Sequence, residues 1–143
     1  MENDIAERTR VFLAEDSDAI RMRLAAMLGK LANVSIVGEA RTPTLAIEGI
    51  LRTQPHFAVL DIQLAEGSGM DILRTISPME TGIVFIMLTN HSAPQYRNAC
   101  LRAGATHFLD KANEFATVKT LIQSIAHSRQ SAILPIQSFI DRR

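Results

Sequence analysis

Acidic side chains, a threonine and a lysine recur in this 143-residue chain at one kind of place, directly after short apolar runs. Glu15-Asp16 follow Val11 to Ala14, Asp61 follows Phe57 to Leu60, Thr89-Asn90 follow Ile83 to Leu88, and Asp110-Lys111 follow Thr106 to Leu109. Carboxylates gathered at one edge repel one another, and a hard divalent cation relieves the repulsion. Mg²⁺ prefers oxygen ligands and keeps several waters, taking one or two carboxylates plus a phosphate oxygen. A site of that kind suits a phosphoryl group, whose three equatorial oxygens in transfer need cationic and hydrogen-bonding neighbours. Lys111 and the Thr89 hydroxyl are the candidates for that role. Asp61, closing a buried central strand, is the expected nucleophile, and Glu15 with Asp16 the expected metal-holding pair. The product would be an aspartyl phosphate.

These residues meet only if the apolar runs lie side by side. The runs, with Val34 to Val37 as a fifth, are nearly continuous in apolar residues, as strands covered on both faces require. Helical patterns separate them. The first starts at Ser17, carries Ile20, Leu24, Met27, Leu28 and Leu31 on one stripe, and is interrupted near Gly29. The second opens at Thr42-Pro43, carries Leu45, Ile50 and Leu51, and ends at Gln54-Pro55. The third runs from about Gly69 to Pro78 and the fourth from about Ala93, through Tyr96, Cys100 and Ala103, to Gly104. The last uses Phe115, Val118, Ile122 and Ile125 and fades near Ser128. Strict alternation with right-handed crossovers predicts a doubly wound α/β fold, a five-stranded parallel sheet flanked by five helices, with its site beyond the carboxyl ends of the strands.

Val11-Phe12-Leu13-Ala14-Glu15-Asp16, Ala58-Val59-Leu60-Asp61-Ile62, Met87-Leu88-Thr89 and Phe108-Leu109-Asp110-Lys111 together resemble the receiver domain of two-component response regulators. The resemblance covers about Thr9 to Ser128. It implies the flavodoxin-like strand order 2-1-3-4-5, phosphorylation of Asp61 by a histidine kinase or phosphotransfer protein, and Mg²⁺ held by Glu15, Asp16, Asp61 and the backbone carbonyl of Gln63. It also implies that Lys111 pairs with the phosphoryl oxygens, that Thr89 moves toward them, and that Phe108 is the aromatic switch whose rotamer follows Thr89. Ala65 stands where many receivers have proline, which predicts a less rigid loop, while Gly69 keeps the usual glycine. The resemblance also implies that Gln63 and His91 occupy the two variable positions that, in that family, modulate loss of phosphate. The stretch Phe108 to Phe115 resembles receivers attached to LuxR/NarL-type DNA-binding domains, yet only fifteen residues follow Ser128, so a stand-alone receiver is expected.

Composition frames the same picture. Hydrophobic residues at 47% and charged residues at 21% are those of one globular domain, and fifteen basic against fifteen acidic residues cancel. Zero net charge argues against broad nucleic-acid or membrane binding, so no direct DNA binding is expected. No apolar stretch approaches a membrane span, no leader opens the chain, and Cys100 is alone, so a reducing cytoplasm is expected. His56, His91, His107 and His127 are scattered without metal-ligand spacing. The expected layout is an extension over 1–8, the receiver over 9–128 and a tail over 129–143 whose apolar residues include Ile133, Leu134, Ile136, Phe139 and Ile140. Function is expected as a phospho-switch that alters the face of the fourth helix, fifth strand and fifth helix for a downstream protein or a second copy of the chain. The chain is expected not to be an enzyme beyond catalysing its own phosphoryl transfer and autodephosphorylation. The alternative is a phosphorylation-independent adaptor. A haloacid-dehalogenase-like phosphatase would need a second Asp two residues after the nucleophile, where Gln63 stands.

Overall fold

The computed structural model describes residues 8–128; the tail expected over 129–143 and all but Arg8 of the extension lie outside that range. Five strands form one parallel sheet: β1 (Thr9–Ala14), β2 (Val34–Ala40), β3 (Phe57–Leu60), β4 (Val84–Thr89) and β5 (His107–Asp110). Their order is β2-β1-β3-β4-β5, as expected. Between them run α1 (Asp18–Gly29), α2 (Pro43–Thr53), α3 (Gly69–Ile76) and α4 (Pro94–Ala103), and α5 covers residues 117–128. A single helical turn, Lys111–Glu114, precedes α5.

Local chemistry sets these boundaries. The Ser17 hydroxyl accepts the Ile20 N–H at 3.2 Å to start α1, and Thr42 does the same for Leu45 at 3.2 Å before Pro43. α3 opens with a capping box, Ser68 accepting from Met70 N–H while Asp71 accepts the Ser68 N–H. Gln54 ends α2 in the left-handed region at φ 49°. The third helical pattern stops two residues early: α3 ends at Ile76, and Pro78 sits in a 3₁₀ turn, Ser77–Met79, because proline cannot donate the next helical hydrogen bond.

The apolar strands divide their side chains between two cores. Phe12, Ala14, Ala58, Leu60, Phe85 and Met87 face α2, α3 and α4, where Ile50, Ile72, Leu73, Ile76 and Cys100 meet them. Val11, Leu13, Val59, Ile86 and Leu88 face α1 and α5, against Leu24, Leu28, Val118 and Ile122. The stripe expected on α2 is corrected: Leu45 and Leu51 are exposed, and Pro43, Ala46, Gly49 and Ile50 face inward. The cause is Phe12, whose ring fills the space where a Cβ on Gly49 or Gly38 would stand, 2.5 Å from Cε2 in each case. Small residues on α2 therefore outrank leucines at this contact. The register of β1 on β2 slips between Val11 and Phe12, which brings Gly38 opposite that ring. Tyr96 is also exposed rather than on the α4 core stripe, and Phe115 lies in the turn before α5 beneath the Arg23 guanidinium, 4.2 Å from the ring centre.

Candidate functional site

β1 and β3 are neighbours with Ala14 opposite Leu60, so the next residue of each strand emerges at the same edge. That register places Glu15 beside Asp61 although the two are 46 positions apart in the chain. Main-chain bonds hold the corner: Asp61 N–H donates to Ala14 carbonyl at 3.0 Å and Glu15 N–H to Ala40 carbonyl at 3.0 Å. Ligand oxygens of Glu15, Asp16 and Asp61 lie within 4.8 Å of one another.

Lys111 enters from the end of β5. Its Nζ donates to Asp61 Oδ2 at 2.6 Å and to Glu15 Oε1 at 2.8 Å, with all three side chains more than nine-tenths buried. Ser17 N–H donates to Glu15 Oε2 at 3.0 Å. Burial pushes the Glu15 carboxyl above its ordinary range, and the Asp61 charge adds to that push against the opposing pull of Lys111 and Ser17. Burial alone would lower the Lys111 ammonium, but its hydrogen bonds and attraction to Asp61 and Glu15 prevail and raise it. Asp110, expected only as part of the strand end, turns away from the pocket to cap the following turn, its Oδ1 accepting Ala112 N–H at 3.3 Å.

Around this cluster a pocket is lined by Glu15, Asp16, Ser17, Asp61, Gln63, Asn90, His91 and Lys111 among others. Thr89 is fully buried, and its hydroxyl accepts the His91 N–H at 3.1 Å. Phe108 is buried in the core, opposite Met87 in the sheet. Gln63 Oε1 and His91 Nε2 bond at 2.7 Å across the pocket, and the His91 ring tilts against Tyr96 with centroids 5.6 Å apart. The site residues expected from the sequence thus share one region, with Thr89 and Phe108 behind it.

The loop after Asp61 is built by a short antiparallel ribbon, Gln63–Leu64 with Gly67–Ser68. Ala65 N–H donates to Arg41 carbonyl at 3.0 Å, an anchor that a proline lacking N–H cannot make. Gly69 begins α3 so close to Asp61 that a Cβ there would collide with the Asp61 carbonyl. Sequence reading missed Arg21, which donates to the Glu15 carbonyl at 2.8 Å while pairing with Asp18 and Glu39. The i, i+3 spacing of Asp18 and Arg21 signals that pair; nothing local signals Glu39.

Three carboxylates meet a single ammonium here, so the cluster keeps a surplus of negative charge in a partly enclosed pocket. All its donors toward a cation are hard oxygens. The set fits a divalent ion such as Mg²⁺ and is unsuited to a soft metal.

The family model for the response regulator receiver domain matches residues 11–123. Among curated proteins, the DNA-binding transcriptional activator DevR/DosR of Mycobacterium tuberculosis is 28% identical over 102 residues, 71% of this chain and 47% of that protein. The chain spans 34–60% of the length of the first four curated relatives it matches. Among solved structures, a LuxR-family DNA-binding response regulator from Staphylococcus aureus superposes with TM-score 0.76 at 19% identity, covering 82% of this chain and 98% of that one. A chain of the CheX–CheY–BeF₃–Mg²⁺ complex from Borrelia burgdorferi superposes with TM-score 0.74 at 21% identity, covering 82% of this chain and 88% of that one.

Proposed function

The chain belongs to the response regulator receiver domain family, and from that premise we propose that Asp61 accepts a phosphoryl group from the phosphohistidine of a histidine kinase or phosphotransfer protein. The observation that carries this reading is the Lys111 ammonium seated on both Asp61 and Glu15 with Asp16 alongside. In the transfer, an Asp61 carboxylate oxygen forms a bond to phosphorus as the phosphorus–nitrogen bond breaks, and the imidazole departs with that electron pair. Water later attacks phosphorus, the bond from phosphorus to the Asp61 oxygen breaks, and inorganic phosphate leaves with the carboxylate restored. Lys111 exchanges its hold on Asp61 for the arriving phosphoryl oxygens, while its bond to Glu15 keeps the ammonium at the pocket.

Glu15, Asp16, Asp61 and the Gln63 carbonyl would hold Mg²⁺. When bound, that ion supplies positive charge to the acidic cluster and to the phosphoryl oxygens. The CheX–CheY complex from Borrelia burgdorferi whose fold this chain shares contains BeF₃ and Mg²⁺.

Phosphorylation draws the Thr89 hydroxyl from the His91 N–H toward the phosphoryl group, and Phe108 repacks behind it. The face of α4, β5 and α5 then changes for a downstream protein or a second copy of the chain. Control requires a partner that binds the two states unequally. Balanced charge favours output by protein contacts over direct DNA binding. The proposed setting is the cytoplasm; no described helix is long and apolar enough to cross a membrane. An adaptor indifferent to phosphate has no use for a buried ammonium on Asp61, so that alternative gains no support.

Incubation with acetyl phosphate and Mg²⁺, followed by intact-mass measurement, is expected to show one added phosphoryl group that Asp61→Asn abolishes. Labelling that persists in Asp61→Asn, or a wild-type chain that never labels, overturns the reading.

A further inference from the structure

The two loops that build the site are tied together by charges outside it. Arg21, its side chain only 15% exposed, projects from the first turn of α1 into three acceptors on different segments. Its Nη1 donates to the Glu15 carbonyl at 2.8 Å, its Nη2 to Asp18 Oδ1 at 2.6 Å and its Nε to Glu39 Oε1 at 2.9 Å. Asp18 Oδ1 also accepts from Arg41 at 2.9 Å, and the Arg41 carbonyl accepts Ala65 N–H at 3.0 Å from the loop after Asp61. The chain of contacts therefore runs from the Glu15 peptide through Arg21, Asp18 and Arg41 to the loop carrying Gln63.

We propose that Arg21 is a positioning residue for the acidic pair: by gripping the Glu15 carbonyl while anchored on Asp18 and Glu39, it sets the direction in which Asp16 leaves β1 and its distance from Asp61. The proposal rests on the reading that these carboxylates hold Mg²⁺. Two physical arguments support it. A carbonyl at the end of a strand whose next residues turn sharply needs a donor, and a guanidinium forked to three partners fixes it more firmly than a water or an ammonium does. Two carboxylates flank the guanidinium, so its positive charge is neutralised locally and repels a cation in the pocket little. Groups that orient metal ligands from behind commonly control affinity as strongly as some ligands do.

The test is calorimetric titration of Mg²⁺ into the full, unphosphorylated chain. Wild type and Asp16→Asn establish the ion site itself. Arg21→Met keeps much of the aliphatic packing and removes every donor; it is expected to raise the Mg²⁺ dissociation constant about tenfold while the far-ultraviolet circular dichroism stays that of a folded chain. Arg21→Lys should fall between the two, because one ammonium cannot meet three acceptors on separate segments. Glu39→Ala, at a half-exposed position where folding is not at stake, should weaken binding in the same direction by about twofold to threefold. A purely structural role would lower the folded fraction and leave the affinity of folded molecules unmoved. Unchanged or tighter binding in folded Arg21→Met, or in Glu39→Ala should Arg21→Met not fold, overturns the positioning role alone. A wild-type chain that binds no more Mg²⁺ than Asp16→Asn overturns the metal reading first and this inference with it.

Discussion

At the amino end of the sheet, Arg10, Gln54 and His56 surround a hollow of about 410 Å³; at the carboxyl end, Glu15, Asp16, Asp61 and Lys111 surround one of about 310 Å³. The roomier hollow is the chemically quieter one. There the polar groups serve the backbone: Arg10 donates twice to the Gln54 carbonyl, at 2.7 and 3.2 Å, and His56 Nδ1 accepts Arg10 N–H at 2.9 Å. Those bonds close α2 and start β3. At the carboxyl end the carboxylates exceed the cation that meets them, and three buried ionisable side chains converge where an apolar core would be cheaper. Surplus charge under burial, rather than concavity, separates a reactive end from a structural one.

The sharpest way to break this contrast is to remove one polar side chain from each end. Lys111→Ala is expected to slow acetyl phosphate labelling by about 100-fold or more, followed by intact mass, because it deletes a donor aimed at transferred oxygens. His56→Ala, at the other end, should label at the wild-type rate. Equal slowing in both variants would erase the distinction. Gly69→Ala strikes the carboxyl end through the backbone instead: the added methyl must displace the Asp61 carbonyl, with a cost of about 1–3 kcal/mol in urea unfolding.

Mg²⁺ at ten times its dissociation constant should stabilise the wild-type chain by about 1.4 kcal/mol, read as a rise of about 5 °C in thermal midpoint. Asp16→Asn should lose that gain, and His56→Ala should retain it. His56→Ala itself should cost about 1 kcal/mol in the same unfolding assay, the worth of its bond to Arg10 N–H. The smallest effect is a slope. The folded Glu15 pKa lies above its ordinary 4.5, so between that value and the raised one the folded chain binds more protons than the unfolded chain. In metal-free buffer, stability therefore falls as pH rises through that window, and Glu15→Gln should flatten the fall.

Much of the fold was legible because its signals are local. Ser17 and Thr42 cap the helices they were expected to start, and the apolar runs became strands shifted by a few residues at their ends. β2 ran on to Ala40, beyond Val37, because Phe12 needs Gly38 opposite it in the sheet. Leu45 and Leu51 misled for the same reason: hydrophobicity alone ranks them above Ala46 and Gly49, but the ring across the interface accepts only small neighbours. Tyr96 went to the surface, where it meets His91.

Residue order by itself determined that polar groups end four of the apolar runs and that an acidic pair, a lone aspartate and a lysine stand among them. It determined this because side-chain type and strand periodicity need no long-range contact. Tertiary structure alone decided that Lys111 reaches both Asp61 and Glu15, that Asp110 turns aside to cap a helical turn, and that Arg21 takes hold of the Glu15 carbonyl. Each of those depends on which strands become neighbours and in what register, and the chain settles that only when crossover helices pack on the sheet and bring segments up to 96 residues apart within hydrogen-bonding distance.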